Sequence, residues 1–221
     1  MTVQWLAKLR TQLHEPYVIR MAACFVCVMA VVGSWPAMAQ PSGTVDFKDV
    51  EGGHFKLDKS HARIVFSTTH LGFSTYYGFF GDLDAKLDYD PTSPAASTLA
   101  VWVNLNGLVT NDSKLDENLK SADYFDVAKF PVAIFKSTKI EVTGAARGRI
   151  TGDLTLHGVT KPVVLDVTLN RGGTHPVTQD YILGFDATGA LSRSDFGIKT
   201  LVPLVGDQVK LTISCEFNRV K

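Results

Sequence analysis

The sequence predicts an all-β protein, an eight-stranded antiparallel up-and-down barrel with one short helix in a long loop. Three observations carry this expectation. Eight segments of the 221-residue chain alternate apolar and polar residues with period two, the mark of a strand with one buried face. After residue 40, one stretch alone has helical spacing, and at about two turns it is too short to cover a sheet. Most successive strands are joined by short links, which make sequence neighbours antiparallel neighbours. Strands of this kind bury their apolar face against one another in a sandwich or a closed barrel. Short links favour the barrel, which also removes exposed edges. Eight strands is the count at which a barrel has room for one small ligand.

The elements follow in order. Gln40–Gly53 is polar and glycine-containing and reads as a flexible leader (40–53) to a single domain over 54–221. In Ala62–His70, Ile64, Phe66 and Thr68 oppose Arg63 and Ser67. Leu71–Gly78 is a connection rich in aromatics. Phe79, Gly81, Leu83, Ala85 and Leu87 then alternate with Asp82, Asp84 and Lys86 in a second strand, which Pro91 and Pro94 end. Leu99, Val101, Val103 and Leu105 share one face of the third. The longest excursion is Gly107–Pro131, in which Asn111 or Asp112 caps a helix running to Lys120, with Leu115 and Leu119 four apart. Val132–Val142 is the fourth strand.

Arg147–Asn170 is the clearest hairpin. Ile150, Leu154 and Leu156 alternate with Arg149, Thr151, Asp153 and Thr155; Val163, Leu165, Val167 and Leu169 do the same after the turn. Between them, His157–Pro162 supplies a glycine for positive φ and a proline expected to stop the ladder. Tyr181–Leu191 and Asp207–Phe217 complete the eight.

This hairpin, GDLTLHGVTKP, resembles the signature of the YceI-like family. Four further segments fit the same pattern: Leu57–His61 running into Val65-Phe66, Leu119–Asp126, Phe135–Thr138 and Arg193–Gly197. The resemblance spans roughly 54–218. It implies a lipocalin-like barrel in the periplasm that encloses a polyisoprenoid lipid. Asn118 stands where the family pattern has a histidine.

The N-terminus is a different kind of segment. Arg20 precedes Met21–Gly33, an uncharged and mostly apolar run; Ser34-Trp35-Pro36 breaks it, and Ala37-Met38-Ala39 has the small-x-small pattern of a signal-peptidase site. Residues 1–39 are therefore expected to be a signal peptide cleaved near Ala39, a retained anchor being the alternative. Of three cysteines, Cys24 and Cys27 fall in this segment, leaving Cys215, which shares its parity with Ile213 and Phe217 and reads as a small buried hydrophobe. Removing Lys8, Arg10, Arg20 and Glu15 from totals of 22 basic and 22 acidic residues leaves 19 and 21, without the basic stripe of a nucleic-acid surface.

Polar chemistry has weak candidates. His61, His70 and His157 lack metal-ligand spacing, and no nucleophile elbow occurs. Ser194 and Asp195, adjacent on a strand, point to opposite faces, whereas Arg193 and Asp195 share one and are expected to pair as a polar plug. Asp123 and Asp126 read as loop caps. The apolar face remains: Ile64, Phe66, Phe79, Leu83, Val101, Val103, Leu105, Phe135, Leu154, Leu156, Leu183 and Phe185. Alternation is the same for a solid core and for a ligand-lined lumen. The family resemblance favours the lumen. The density of Phe73, Tyr76 and Tyr77 in the aromatic connection marks it as one lip of the entrance, the alternative being that Phe73 folds back to plug the barrel with the tyrosines covering it. The expected protein is thus an exported, non-enzymatic carrier of an isoprenoid lipid, of polyprenyl or quinone type, for transport, storage or stress protection. No other cofactor or metal is expected. It works as a monomer or homodimer with transient membrane contact. An enzyme acting on such a lipid and a solid-core stress-responsive scaffold are the alternatives.

Overall fold

The computed structural model describes residues 45–221. The expected signal peptide and the first residues of the leader lie outside them. The strands are β1 (Gly53–Leu57), β2 (Arg63–His70), β3 (Ser74–Phe80), β4 (Leu83–Tyr89), β5 (Thr98–Asn104), β6 (Leu108–Val109), β7 (Val132–Gly144), β8 (Arg147–Leu156), β9 (Val159–Thr174), β10 (Tyr181–Ser192) and β11 (Gln208–Arg219). Every pairing is antiparallel. The ring runs β1-β4-β5-β7-β8-β9-β10-β11 and closes where Leu57 of β1 meets Phe217 of β11.

Eight staves make this barrel although more strands are counted, because two staves are broken. β1 and β2 form one stave, interrupted by the 3₁₀ turn Lys59–His61, and both pair with β11. The Asp58 carboxylate caps that turn by accepting the Ser60 N–H. β3 and β4 form the next stave, broken at Gly81-Asp82, with β3 on β2 and β4 on β1. The two-residue β6 adds to the outer edge of β3. The expected eight-stranded up-and-down barrel is therefore the observed one.

The excursion after β5 holds the expected helix, α1 (Ser113–Lys120). Asp112 is its cap, its carboxylate accepting the N–H groups of Lys114 and Leu115. Leu119, Tyr124, Phe125 and Val127 from this excursion pack onto the core.

Four local expectations are corrected. The break at Gly81-Asp82 inserts residues that reverse the parity, so Phe80, not Phe79, points inward beside Leu83. The link Leu71–Gly78 is mostly strand: the turn is Leu71–Phe73, with Leu71 and Gly72 at positive φ. Pro162 does not stop the ladder but pairs with Asp153 inside β9. The turn is just His157-Gly158, both at positive φ. Proline is tolerated there because β10 begins to pair with β9 only at Leu165. Finally, the leader is part of the domain from Val45 onward. Phe47 and Val50 are buried, the Phe47 N–H donates to the Ala145 carbonyl and the Tyr89 hydroxyl donates to that of Phe47.

The core has two centres. The upper end of the barrel carries the turn 71–73, the α1 excursion and segment 193–207, and centres on Phe80, Leu105, Leu108, Phe135, Leu156 and Phe196. The lower end carries residues 45–52, the 90–97 loop and the β7–β8 turn, and centres on Phe47, Val50, Phe55, Leu169, Leu183 and Phe217.

Candidate functional site

Between the two centres lies a cavity of about 130 Å³. Its wall follows from register. One row runs Ile64–Ile213–Ala187–Val167–Gly148 across β2, β11, β10, β9 and β8. Ala187 stands in that row where a solid barrel needs bulk, Gly148 is faced by the Phe47 ring, and Ala85 stands opposite on β4. The two alanines leave the space. Leu57, Leu83, Leu87, Leu99, Val101, Ile140, Ile150, Leu165 and Phe185 complete the hydrocarbon surface.

The cavity reaches solvent at the lower side. β5 pairs with β7 only as far as Ala100–Lys136, and the Leu99 N–H is taken by the Ser137 hydroxyl. Past that point β7 has no strand partner on this side. The opening lies between Pro94–Ser97 and Ile140–Val142, with Phe47 and Gly148 beside it. Val142 lines the cavity and is nevertheless exposed.

Polar groups in the wall are few and occupied. The Tyr89 hydroxyl is bonded to Phe47, and burial pushes its pKa up to about 12. The Ser97 hydroxyl accepts the Asp90 N–H. Cys215 points into the wall, and burial pushes its thiol up to about 12, leaving it a protonated and unreactive hydrophobe. At the rim, the Lys139 ammonium donates to Glu141 at 2.8 Å and holds that carboxyl below its usual range. Among the described residues, no lysine, arginine or histidine lines the cavity.

Of the residues expected to bind ligand, Ile64, Leu83, Val101 and Phe185 line the cavity. Phe66, Val103, Leu105, Phe135, Leu154 and Leu156 face inward in the packed upper half. Leu183 is fully buried in the lower centre. Phe79 is on the outside of β3, paired with Val65 and Val109. Phe73 is 89 % exposed and Tyr76 lies near the same upper tip, its ring 6.4 Å from His70. The aromatic connection is thus at the end of the barrel away from the opening, because β2 and β3 run upward past the packed half. The opening instead involves Phe47 and Pro94. Phe47 was legible only as a lone aromatic in a polar stretch.

The other polar candidates are tied into the framework. His61 Nδ1 lies 2.9 Å from the Asp58 carboxylate, which with nearby Glu216 raises the imidazole pKa, while bonds from Ser60 and His61 lower Asp58 to about 2. His157 bonds the Phe196 carbonyl at 3.0 Å and meets the Phe130 ring edge-on. Arg193 does not pair with Asp195. Its buried guanidinium donates to the carbonyls of Ile198, Thr200, Val205 and Gly206. Ser194 is held instead by Asp207, through both its N–H and its hydroxyl. Asp126 is buried and paired with Lys129 at 3.1 Å.

The sequence matches the YceI-like domain over residues 55–217. It is 39 % identical over 168 residues to the UPF0312 protein of Pseudomonas savastanoi pv. phaseolicola, covering 75 % of this chain and 87 % of that relative. Its fold is similar to the crystal structure of the Campylobacter jejuni YCEI protein, with 30 % identity, a TM-score of 0.62 and coverage of 69 % of this chain and 90 % of the other. At the level of fold alone it also resembles a polyisoprenoid binding domain from Saccharophagus degradans, with 13 % identity, a TM-score of 0.55 and coverage of 77 % and 100 %. Barrel, motifs and matches agree that this chain belongs to the YceI-like domain family.

Proposed function

We propose that this protein is an exported, periplasmic carrier that holds an isoprenoid lipid by its hydrocarbon tail, without acting on it chemically. One observation carries the reading: a solvent-connected cavity walled by aliphatic and aromatic side chains inside an otherwise packed barrel. Its few polar atoms are already bonded, so a bound molecule gains from apolar burial alone. At ~0.8 kcal/mol per buried CH₂, each five-carbon unit enclosed contributes roughly 4 kcal/mol before association costs. The description of the Saccharophagus domain as polyisoprenoid-binding supports the same ligand class.

The tail is what this site recognises. With no cation facing the cavity and Lys139 engaged by Glu141, a polyprenyl phosphate and a quinone of equal tail length are expected to load alike. The headgroup stays at the rim beside Ser97 and Glu141. Transport, storage and protection of such lipids are all served by this arrangement. Among the described residues no helix is long and apolar enough to cross a membrane. Export rests on residues 1–39, and N-terminal sequencing of the mature protein is expected to begin near Gln40.

Native mass spectrometry of the protein purified from periplasm, followed by lipid extraction, tests this directly. A folded protein carrying an isoprenoid adduct supports the carrier. Ligand-free protein alone, with an extract devoid of isoprenoids, favours the scaffold with a permanently empty barrel.

A further inference from the structure

The outer wall of the barrel carries a cluster of metal-ligating side chains at the break between β1 and β2. Leu57 pairs with Phe217, and the Asp58 N–H donates to the Glu216 carbonyl at 2.8 Å. Cys215 and Phe217 line the cavity, so Glu216 between them faces outward, next to Asp58. The 3₁₀ turn Lys59–His61 then brings His61 back over Asp58, because side chains three apart eclipse in such a turn. One donor atom each of Asp58, His61 and Glu216 thereby lies within 4.8 Å of the other two. The donors come from two distant parts of the chain, which is why no metal-ligand spacing surrounds His61.

What surrounds the cluster sets it apart from a surface ion pair. Asp58 Oδ1 accepts the Ser60 N–H and hydroxyl at 2.9 and 2.6 Å, and Asp58 Oδ2 lies 2.9 Å from His61 Nδ1. Bonds of this kind orient a ligating carboxylate from behind. The neighbouring cations are engaged: Lys59 pairs with Asp84 at 3.3 Å, and the Arg63 guanidinium donates to the Lys59 and Ala62 carbonyls. Among the described residues, no lysine or arginine pairs with Glu216. Its partner on β10 is Gly184, so no side chain stands opposite it there. One imidazole and two carboxylates suit a borderline divalent ion, and three protein ligands leave Zn²⁺ an open position. Bonds of about 2.0–2.2 Å put tetrahedral donors roughly 3.4 Å apart, which small rotations of the His61 and Glu216 side chains achieve. We propose that Asp58, His61 and Glu216 form a transition-metal site for Zn²⁺, which clips the broken β1–β2 stave to β11. The site is on the opposite side of the wall from the cavity lining and is independent of the carrier reading.

Zn²⁺ titrated by calorimetry into tag-free mature protein, first stripped with a chelator, tests the site. One equivalent is expected to bind with a Kd of about 10 μM or tighter. Glu216→Gln and His61→Asn, each verified as folded by its melting curve, should each weaken binding about tenfold or more. His54→Asn should leave it within about threefold, because His54 meets the Asp88 carboxylate but, among the described residues, no third donor. Co²⁺ reads the same site in the unaltered protein, whatever the variants do. One equivalent should broaden the His61 ring resonances before those of His54, His70, His157 and His175. Absence of saturable Zn²⁺ binding below about 1 mM overturns the site. So does undiminished binding by folded Glu216→Gln or His61→Asn, a larger loss in His54→Asn than in His61→Asn, or first broadening at another histidine.

Discussion

Arg193 shows how a buried charge holds this fold at the scale of a residue. Its guanidinium reaches four carbonyls of segment 198–206 that have no strand to satisfy them. Arg193→Met keeps the bulk of the stem but strands the carbonyls of Ile198, Thr200 and Val205, the Gly206 carbonyl keeping the Thr68 hydroxyl, and is expected to cost about 3–5 kcal/mol in urea unfolding. A loss under about 1 kcal/mol would show that water replaces the bonds. Asp58 and His61 are a second case, with opposite signs. The folded Asp58 pKa of about 2 lies below its ordinary 3.8, so its contribution is present above that ordinary value and lost as pH falls toward 2. The His61 pKa is raised above 6.5, so its contribution is present below 6.5 and lost as pH climbs through the raised value. The pair stabilises most between these limits, and Asp58→Asn should flatten the pH dependence of the melting temperature on either side of them, below 3.8 and above 6.5. An unchanged profile would mean the pair is solvated. The inward parity of Ile64, Val101, Leu183 and Cys215 was readable from alternation alone. The partners of Arg193 were not, because they are backbone atoms brought together by the fold.

Among the elements, alternation located all eight staves, and Asp112 announced α1. Misreadings fell where the chain changes phase. Gly81-Asp82 reverses parity within one stave, and a similar irregularity between Ser137 and Lys139 lets Phe135 and Ile140 both face inward. Nothing in a period-two pattern marks such a shift in advance. The segment 45–52 was missed for a different reason: three apolar residues in a polar stretch carry no clear periodicity, yet Phe47 and Val50 are buried by the barrel they help close. Phe47 sits beside the opening, held by one backbone bond to Ala145 and one from Tyr89. Phe47→Ala is expected to speed release of a fluorescent lipid severalfold, whereas the pair Tyr76→Ala and Tyr77→Ala at the upper tip should leave release unchanged and cost about 1 kcal/mol or less. Faster release from the tyrosine variant would place the entrance at the aromatic turn after all.

For the whole molecule, solid core and lumen prove to be parts of one barrel. Both ends are packed by large inward residues, the upper one also by the α1 excursion; the layer between them is opened by Ala85 and Ala187. Alternation is identical in both, which is why the inward-facing candidate residues divide between the cavity wall and the packed core. The signal that separates them is residue size along the inner face, and it becomes readable only once register places the small residues in one layer. The wall also sets the most direct test. Ala85 is buried and lines the cavity, so Ala85→Trp fills the space from a rigid strand. Lipid content per folded protein, measured by native mass spectrometry on both proteins from the same periplasm, is expected to fall at least about tenfold in the variant. Undiminished lipid in a folded Ala85→Trp protein would contradict the lumen as the binding site.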